Sequence, residues 1–138
     1  MATSPAKDIA DFLQTQGVGT VGTDIFVGKM PPDISQNMTV YDTGGLSPNP
    51  KWLRDEPTVQ VMVRGDERDY EATYTLALDV KNALLGCSPT TINSKSYVFF
   101  NMLGDITFLK HDQSERPMFS LNFRLVVEND PNGTRTTF

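Results

Sequence analysis

The chain carries one cysteine, one histidine and one tryptophan in 138 residues. A lone cysteine, Cys87, makes no internal disulfide, which points to a reducing compartment or to a small packing residue with no redox role. The lone histidine, His111, sits where a strand meets a turn. A catalytic triad would need an activated Ser or Cys in an elbow or at a helix N-terminus, and none is signposted, so His111 reads as a solvent-exposed turn residue. Basic residues are also in short supply: twelve Lys and Arg face seventeen Asp and Glu, a net charge of −5. With no basic run anywhere, non-specific nucleic-acid binding is disfavoured, because phosphate contacts need clustered cations. No apolar stretch serves as a signal peptide or membrane span, so the expectation is a protein that is cytosolic where it is made and has no membrane partner. What is present is ordinary: an apolar fraction of 38% and a charged fraction of 21% belong to a globular protein. A chain of this length fits one domain that buries about two-thirds of its unfolded surface.

Three fragments invite a chemical reading and fail it. Gly17-Val18-Gly19-Thr20-Val21-Gly22 is glycine-rich, but it follows a helix and opens a strand. A phosphate loop does the reverse and ends in Gly-Lys-Ser/Thr, so nucleotide binding is rejected. Asp42-Thr43-Gly44 is the aspartic protease triplet, yet that chemistry needs a second carboxylate from a second copy, and Asp42 is better read as capping a glycine turn. Asp66, Glu67, Asp69 and Glu71 crowd one short stretch without the glycine and terminal glutamate of a calcium loop. They suit the positive end of a helix. No cofactor, metal or catalytic residue is therefore expected.

Periodicity outlines the fold. Ser4-Pro5 is an N-cap with proline at the first helical position, Ile9, Phe12 and Leu13 form an apolar face, and Gly17 is the stop. Strands are expected over 24–29, ending at Pro31-Pro32, and over 38–41. A long polar loop over 42–57 carries Trp52, which either packs inward or anchors in a partner's pocket, and packing is favoured. Val59, Val61 and Val63 alternate with Gln60, Met62 and Arg64 in a strand buried on one side. A helix over 66–85 follows, with Tyr70, Thr73, Ala77, Val80 and Leu84 as its stripe. Residues 96–102 and 105–110 flank Gly104 either as a tight hairpin or as one strand with a bulge. Residues 112–116 make a charged turn, and 118–127 alternate Phe119, Leu121, Phe123, Leu125 and Val127 with polar positions. The tail, 129–138, reads as a flexible end. The sum is an α+β single domain: a mixed or antiparallel sheet of about five to six strands with two helices packed on one face.

The order of these parts resembles the tail terminator (minor capsid) proteins of long-tailed bacteriophages. The residues that carry the resemblance are Ile25 to Pro32, Val40-Tyr41-Asp42-Thr43-Gly44-Gly45, Pro57 to Gly65 and the Tyr70 to Leu85 helix. It spans nearly the whole chain and rests on order and spacing. The 46–56 loop and the C-terminal tail depart from it. The resemblance implies a structural protein of the virion, assembled in the host cytoplasm. It would form a homo-hexameric ring that caps the head-proximal end of the tail tube and ends its polymerisation. Its partners would be further copies of itself, the major tail tube protein and a head-completion or neck protein, with viral DNA passing through unbound. Asp42, Trp52, Arg54, Arg64, Asp66, Asp112 and Arg116 are expected at subunit or partner contacts, from loop position and charge, which set register more than affinity. Arg64 beside Asp66 reads equally well as a surface ion pair of little energetic weight. A neck or head-completion adaptor is the alternative within phage assembly. A small acidic hydrolase using Asp42 and Asp66 is the alternative outside it.

Overall fold

A computed structural model describes residues 3–47, 54–85 and 89–128. Trp52, Cys87 and the 129–138 tail lie outside the described residues. Helix α1 (Pro5–Thr15) begins at Ser4, whose side chain accepts from the Lys7 N–H, and closes with Gly17 at φ +80°. That left-handed position is one glycine adopts without steric cost. The helix buries Ile9, Phe12 and Leu13, about 1.5–3 kcal/mol each when fully withdrawn from water.

The sheet is built on β8 (Pro117–Glu128). One edge of β8 pairs antiparallel with β4 (Pro57–Arg64) and, past it, with β3 (Arg54–Asp55). Beyond β4 lie β2 (Asn37–Gly45), antiparallel, and β1 (Ile25–Val27), parallel to β2. The other edge of β8 pairs with β6 (Lys95–Met102) over Phe123–Glu128 and with β7 (Thr107–His111) over Pro117–Ser120. So 96–102 and 105–110 do not pair with each other. They lie end to end on one edge, a single strand interrupted at 103–106, where the Leu103 N–H still donates to the Asn122 carbonyl at 2.7 Å. β5 (Thr90–Ile92) forms a hairpin with β6 whose turn residues Asn93 and Ser94 have φ +51° and +68°. Positive φ at both positions is the type I′ geometry that matches strand twist.

Both helices pack on the face of Val59, Val61, Val63, Leu121, Phe123 and Leu125, and these six are fully buried. The mixed α+β arrangement and its single-sided helix layer agree with the periodicity. Three boundaries differ. Strand β1 is shorter than 24–29, because Gly28 turns the chain at φ +80°. Strand β2 runs on through Asp42-Thr43-Gly44 to Gly45, so the loop after it is shorter than expected and Asp42 caps no turn. Helix α2 (Tyr70–Leu85) starts four residues after Asp66, because Arg68 sits at φ +60° and holds 66–69 as a turn. Of the four acids read at its start, only Glu71 stands in its first turn. Gly65, at the β4–α2 junction, is packed so closely that a Cβ there would lie 1.7 Å from Thr73 Oγ1.

Candidate interaction surfaces

Three of the charged residues singled out above meet at one end of the sheet. Arg64 closes β4, and its side chain is 6% exposed rather than outward-facing. Its Nη2 donates to the carbonyls of Pro31 and Ile34, both at 2.5 Å, and its Nε to Ser35 at 3.2 Å. Its charge partner is Asp112, with Nη1 3.9 Å from Oδ2, and not Asp66. Burial, helped by the neighbouring Arg116 charge and opposed by Asp112, lowers the Arg64 pKa. Arg116 binds the same carboxylate, Nε to Oδ2 at 2.7 Å, and donates from Nη1 to the Pro32 carbonyl at 2.9 Å. Two arginines thus hold four carbonyls of the loop between β1 and β2, and the forked donor geometry of guanidinium is what makes this possible. The loop they hold, 31–36, presents Pro32, Asp33 and Gln36 to solvent.

Asp112 also organises its own turn, accepting from the Ser114 and Arg116 N–H groups at 2.9 and 3.0 Å. Burial alone would push its carboxyl up. The Arg116 N–H, the Arg116 guanidinium and the Ser114 N–H together outweigh this and hold it below the usual carboxylate range. A folded-state pKa below the unfolded value of about 3.9 means that the stabilisation is present above that value and is lost as pH falls through the folded one. Asp112→Asn is expected to lower stability at pH 7 and to flatten its decline below about pH 4. Urea midpoints measured across that range check this.

The other singled-out residues are dispersed. Asp66 is exposed in the turn before α2, at the same end as Arg64. Asp42 and Arg54 lie towards the opposite end of the sheet. The Asp42 Oδ1 accepts from the Ala6 N–H at 3.0 Å, which places a carboxylate at the positive end of α1. Arg54 is exposed on β3, in register with Glu128. His111 is exposed at the end of β7, its ring 5.3 Å from that of Phe108.

Two features escaped sequence reasoning. Asp8, fully buried, accepts from Thr3 Oγ1 and Tyr97 OH, from Asn93 Nδ2 at 2.7 Å and from Lys95 Nζ at 2.8 Å, tying α1 to the β5–β6 hairpin. Burial first, then the Asp8 carboxylate, pushes the Tyr97 hydroxyl pKa up. The signal was available: Asp8 lies four residues before Phe12, on the apolar stripe of the helix. The second feature is an aromatic flank. Tyr70 and Tyr74 of α2, Phe108 of β7 and Phe119 of β8 stack with ring centroids 5.0–5.8 Å apart. Tyr70, Tyr74 and Phe108 nonetheless stay 42%, 39% and 38% exposed.

The 31–36 loop is held by two arginines at one end, apolar rings are left open at one flank, and among the described residues no group of three metal-ligating side chains gathers. No helix of the described residues is long and apolar enough to cross a membrane.

A chain of the virion of a native gene transfer agent particle has the same fold, with a TM-score of 0.72 at 14% identity over 91% of this chain and 96% of that one. A crystal structure from Akkermansia muciniphila is a weaker likeness, TM-score 0.42 at 18% identity, over 70% of this chain and 44% of that one, and carries no argument. No curated protein matches the sequence. The profile of the family described as Bacteriophage tail terminator protein matches residues 12–129, the last turn of α1, all of α2 and every strand of the sheet, and the chain belongs to that family of structural phage proteins.

Proposed function

We propose that the protein closes the head-proximal end of a phage tail tube as a homo-oligomeric ring, ends tube polymerisation and presents a joining face to the head or neck. The observation that carries this reading is the family match over residues 12–129. The mechanism is binding. A tube grows because each ring offers the next the surface it has itself just used. A terminator matches the last ring on one face and offers a different surface on the other.

The two ends of the sheet differ in a way that suits this division. One end carries the 31–36 loop, held by Arg64 and Arg116 and bordered by the 112–116 and 66–69 turns. The other carries the end of β2 and the exposed Leu46 that follows it. Asp66 and the held loop make direct contacts at the first end, with Arg64, Asp112 and Arg116 shaping that surface from beneath. Asp42 and Arg54 belong to the second. Holding a loop in its bound shape before docking reduces the ordering cost of association. Viral DNA passes through the ring without specific contacts, consistent with the net charge of −5 and the lack of any basic cluster.

Light scattering on the purified protein across concentration and salt, with and without tail tubes, tests the proposal. A discrete ring mass, or a monomer that becomes rings on tube ends and stops their growth in electron micrographs, is the expected result. A protein that stays monomeric beside tubes and leaves their length unchanged would overturn it.

A further inference from the structure

Apart from the β5 edge beyond β6, the sheet leaves two different flanks open, β1 at one end and β7 beside β8 at the other, and we infer that these two are the halves of the subunit–subunit contact: the β7 edge of one copy receives the β1 edge of the next. The inference rests on the ring reading above and specifies which surfaces close the ring.

The β7 flank is unusual for a strand edge. Among the described residues β7 pairs only with β8, and all five of its residues are exposed. Its side chains include Phe108 and Leu109, at 38% and 42% exposure, with Tyr70 beside Phe108 and Leu103 in the break before the strand. Folded proteins ordinarily blunt such an edge or cover it, since open N–H and C=O groups beside apolar side chains are a template for another strand. Beyond Lys110, this edge has only the bulge between Phe108 and Lys110 to blunt it.

The β1 flank lies at the same height on the opposite side. The registers run Phe26–Thr39–Met62–Ser120–Thr107 and Ile25–Met38–Val63–Phe119–Phe108 across five strands. The outward backbone groups of Ile25 are taken, since its N–H donates to Thr20 and its carbonyl accepts from Gly22. Asp24 and Gly28 bond inward to β2. Val27 is therefore the open position, and its side chain is 38% exposed.

Three properties make a second copy the occupant. Following the pairings from β7 through β8, β4 and β2, the strand β1 runs antiparallel to β7. The β1 of a second copy set against β7 in the same orientation thus continues the sheet with the antiparallel ladder. The two patches are distinct and lie on opposite sides of one subunit, which is what a heterologous, ring-closing contact requires. The flanking charges also match. In the unshifted register Phe26 faces Thr107, and Lys29 comes alongside Asp105, whose side chain pairs with Lys81 at 2.9 Å and is still 71% exposed. A shear of two residues keeps the same faces together and places Phe26 opposite Leu109. The ladder is short, so apolar contact of Val27 and Phe26 with Phe108, Leu109 and Leu103 carries most of the contact.

Cysteine cross-linking of the full chain in a Cys87→Ser background tests this, with Phe26→Cys combined with Thr107→Cys for one register and with Leu109→Cys for the other. Light scattering before oxidation, with tail tubes added if rings need them, establishes whether rings form. The expected result is that diamide yields a ladder of covalent oligomers ending at the ring size, while each single-cysteine chain stops at a dimer. Rings that give no ladder in either register would overturn the flank pairing and leave the ring reading standing. No rings under any condition would overturn both. Hydrogen exchange supplies a check independent of the substitutions: β7 amides should gain protection on ring formation. Protection of β7 that tube protein induces without ring formation would assign the edge to that partner and overturn the self-pairing.

Discussion

Replacing Phe123 with aspartate is expected to leave no cooperative unfolding transition at all. Phe123 is fully buried at the centre of β8, with β4 on one side of the strand and β6 on the other. Deleting a buried phenyl ring costs about 3–5 kcal/mol by itself. The carboxylate that replaces it has no partner on that face and must stay neutral or drag water inward, which adds a further penalty of several kcal/mol. A domain of this size has only about 5–15 kcal/mol to lose. The neighbouring Asn122→Asp points to the other, partly open face and should shift stability by no more than about 0.5 kcal/mol. Circular dichroism in urea separates the two. A Phe123→Asp chain that still melts cooperatively would mean that β8 is not the central strand of the core.

That contrast was legible in the sequence because it depends on a period of two alone. The alternation through Phe119, Leu121, Phe123, Leu125 and Val127 assigns faces without any knowledge of neighbours. Helix α1 was legible for a similar reason, since its cap, its proline and its glycine stop are local signals. The failures share a cause as well. The relation of 96–102 to 105–110 is set by which stretch of β8 each meets, a pairing with a later strand that neither segment encodes. Strand β2 outran its apolar pattern because Thr43 and Thr58 share a hydroxyl contact of 2.7 Å across the ladder, a stabilisation invisible to hydropathy. Residues 66–69 looked helical by composition, but the Arg68 N–H donates to the Glu115 carbonyl at 2.9 Å and fixes a left-handed turn instead.

Among the site residues, position was legible and orientation was not. Arg64 ends a strand with its side chain on the polar face, and on sequence alone such an arginine belongs in water. What buries it is the 31–36 loop folding over its head, a loop whose own composition says only that a strand has stopped. Asp112 and Arg116, four residues apart in a turn, were visible as a charged cluster. That they share their carboxylate with Arg64 follows from the adjacent registers Arg64–Met118 and His111–Pro117, which bring the end of β4 beside the turn that precedes β8.

The largest effect expected at this end comes from Arg64→Met. The replacement matches the side chain in length and removes the forked donor, leaving the carbonyls of Pro31, Ile34 and Ser35 without their partner. A buried acceptor stripped of its donor costs about 1–3 kcal/mol. The loop can turn some of these groups to water, so the total should be about 3 kcal/mol rather than the sum. That is a shift of roughly 1–3 M in the urea midpoint. Asp112 keeps Arg116 at 2.7 Å, so no buried charge is orphaned and the loss stays below that of a broken isolated ion pair. Arg64→Lys should fall between, because one ammonium cannot reach three carbonyls at fork geometry. A second readout distinguishes loss of the loop from general weakening. Trypsin should cut after Lys29, just ahead of the held segment, faster in Arg64→Met than in another variant of equal global stability. A midpoint unchanged within about 0.5 kcal/mol would mean that the loop keeps its shape without the guanidinium. The preorganised loop surface proposed at this end of the sheet would then have no physical basis.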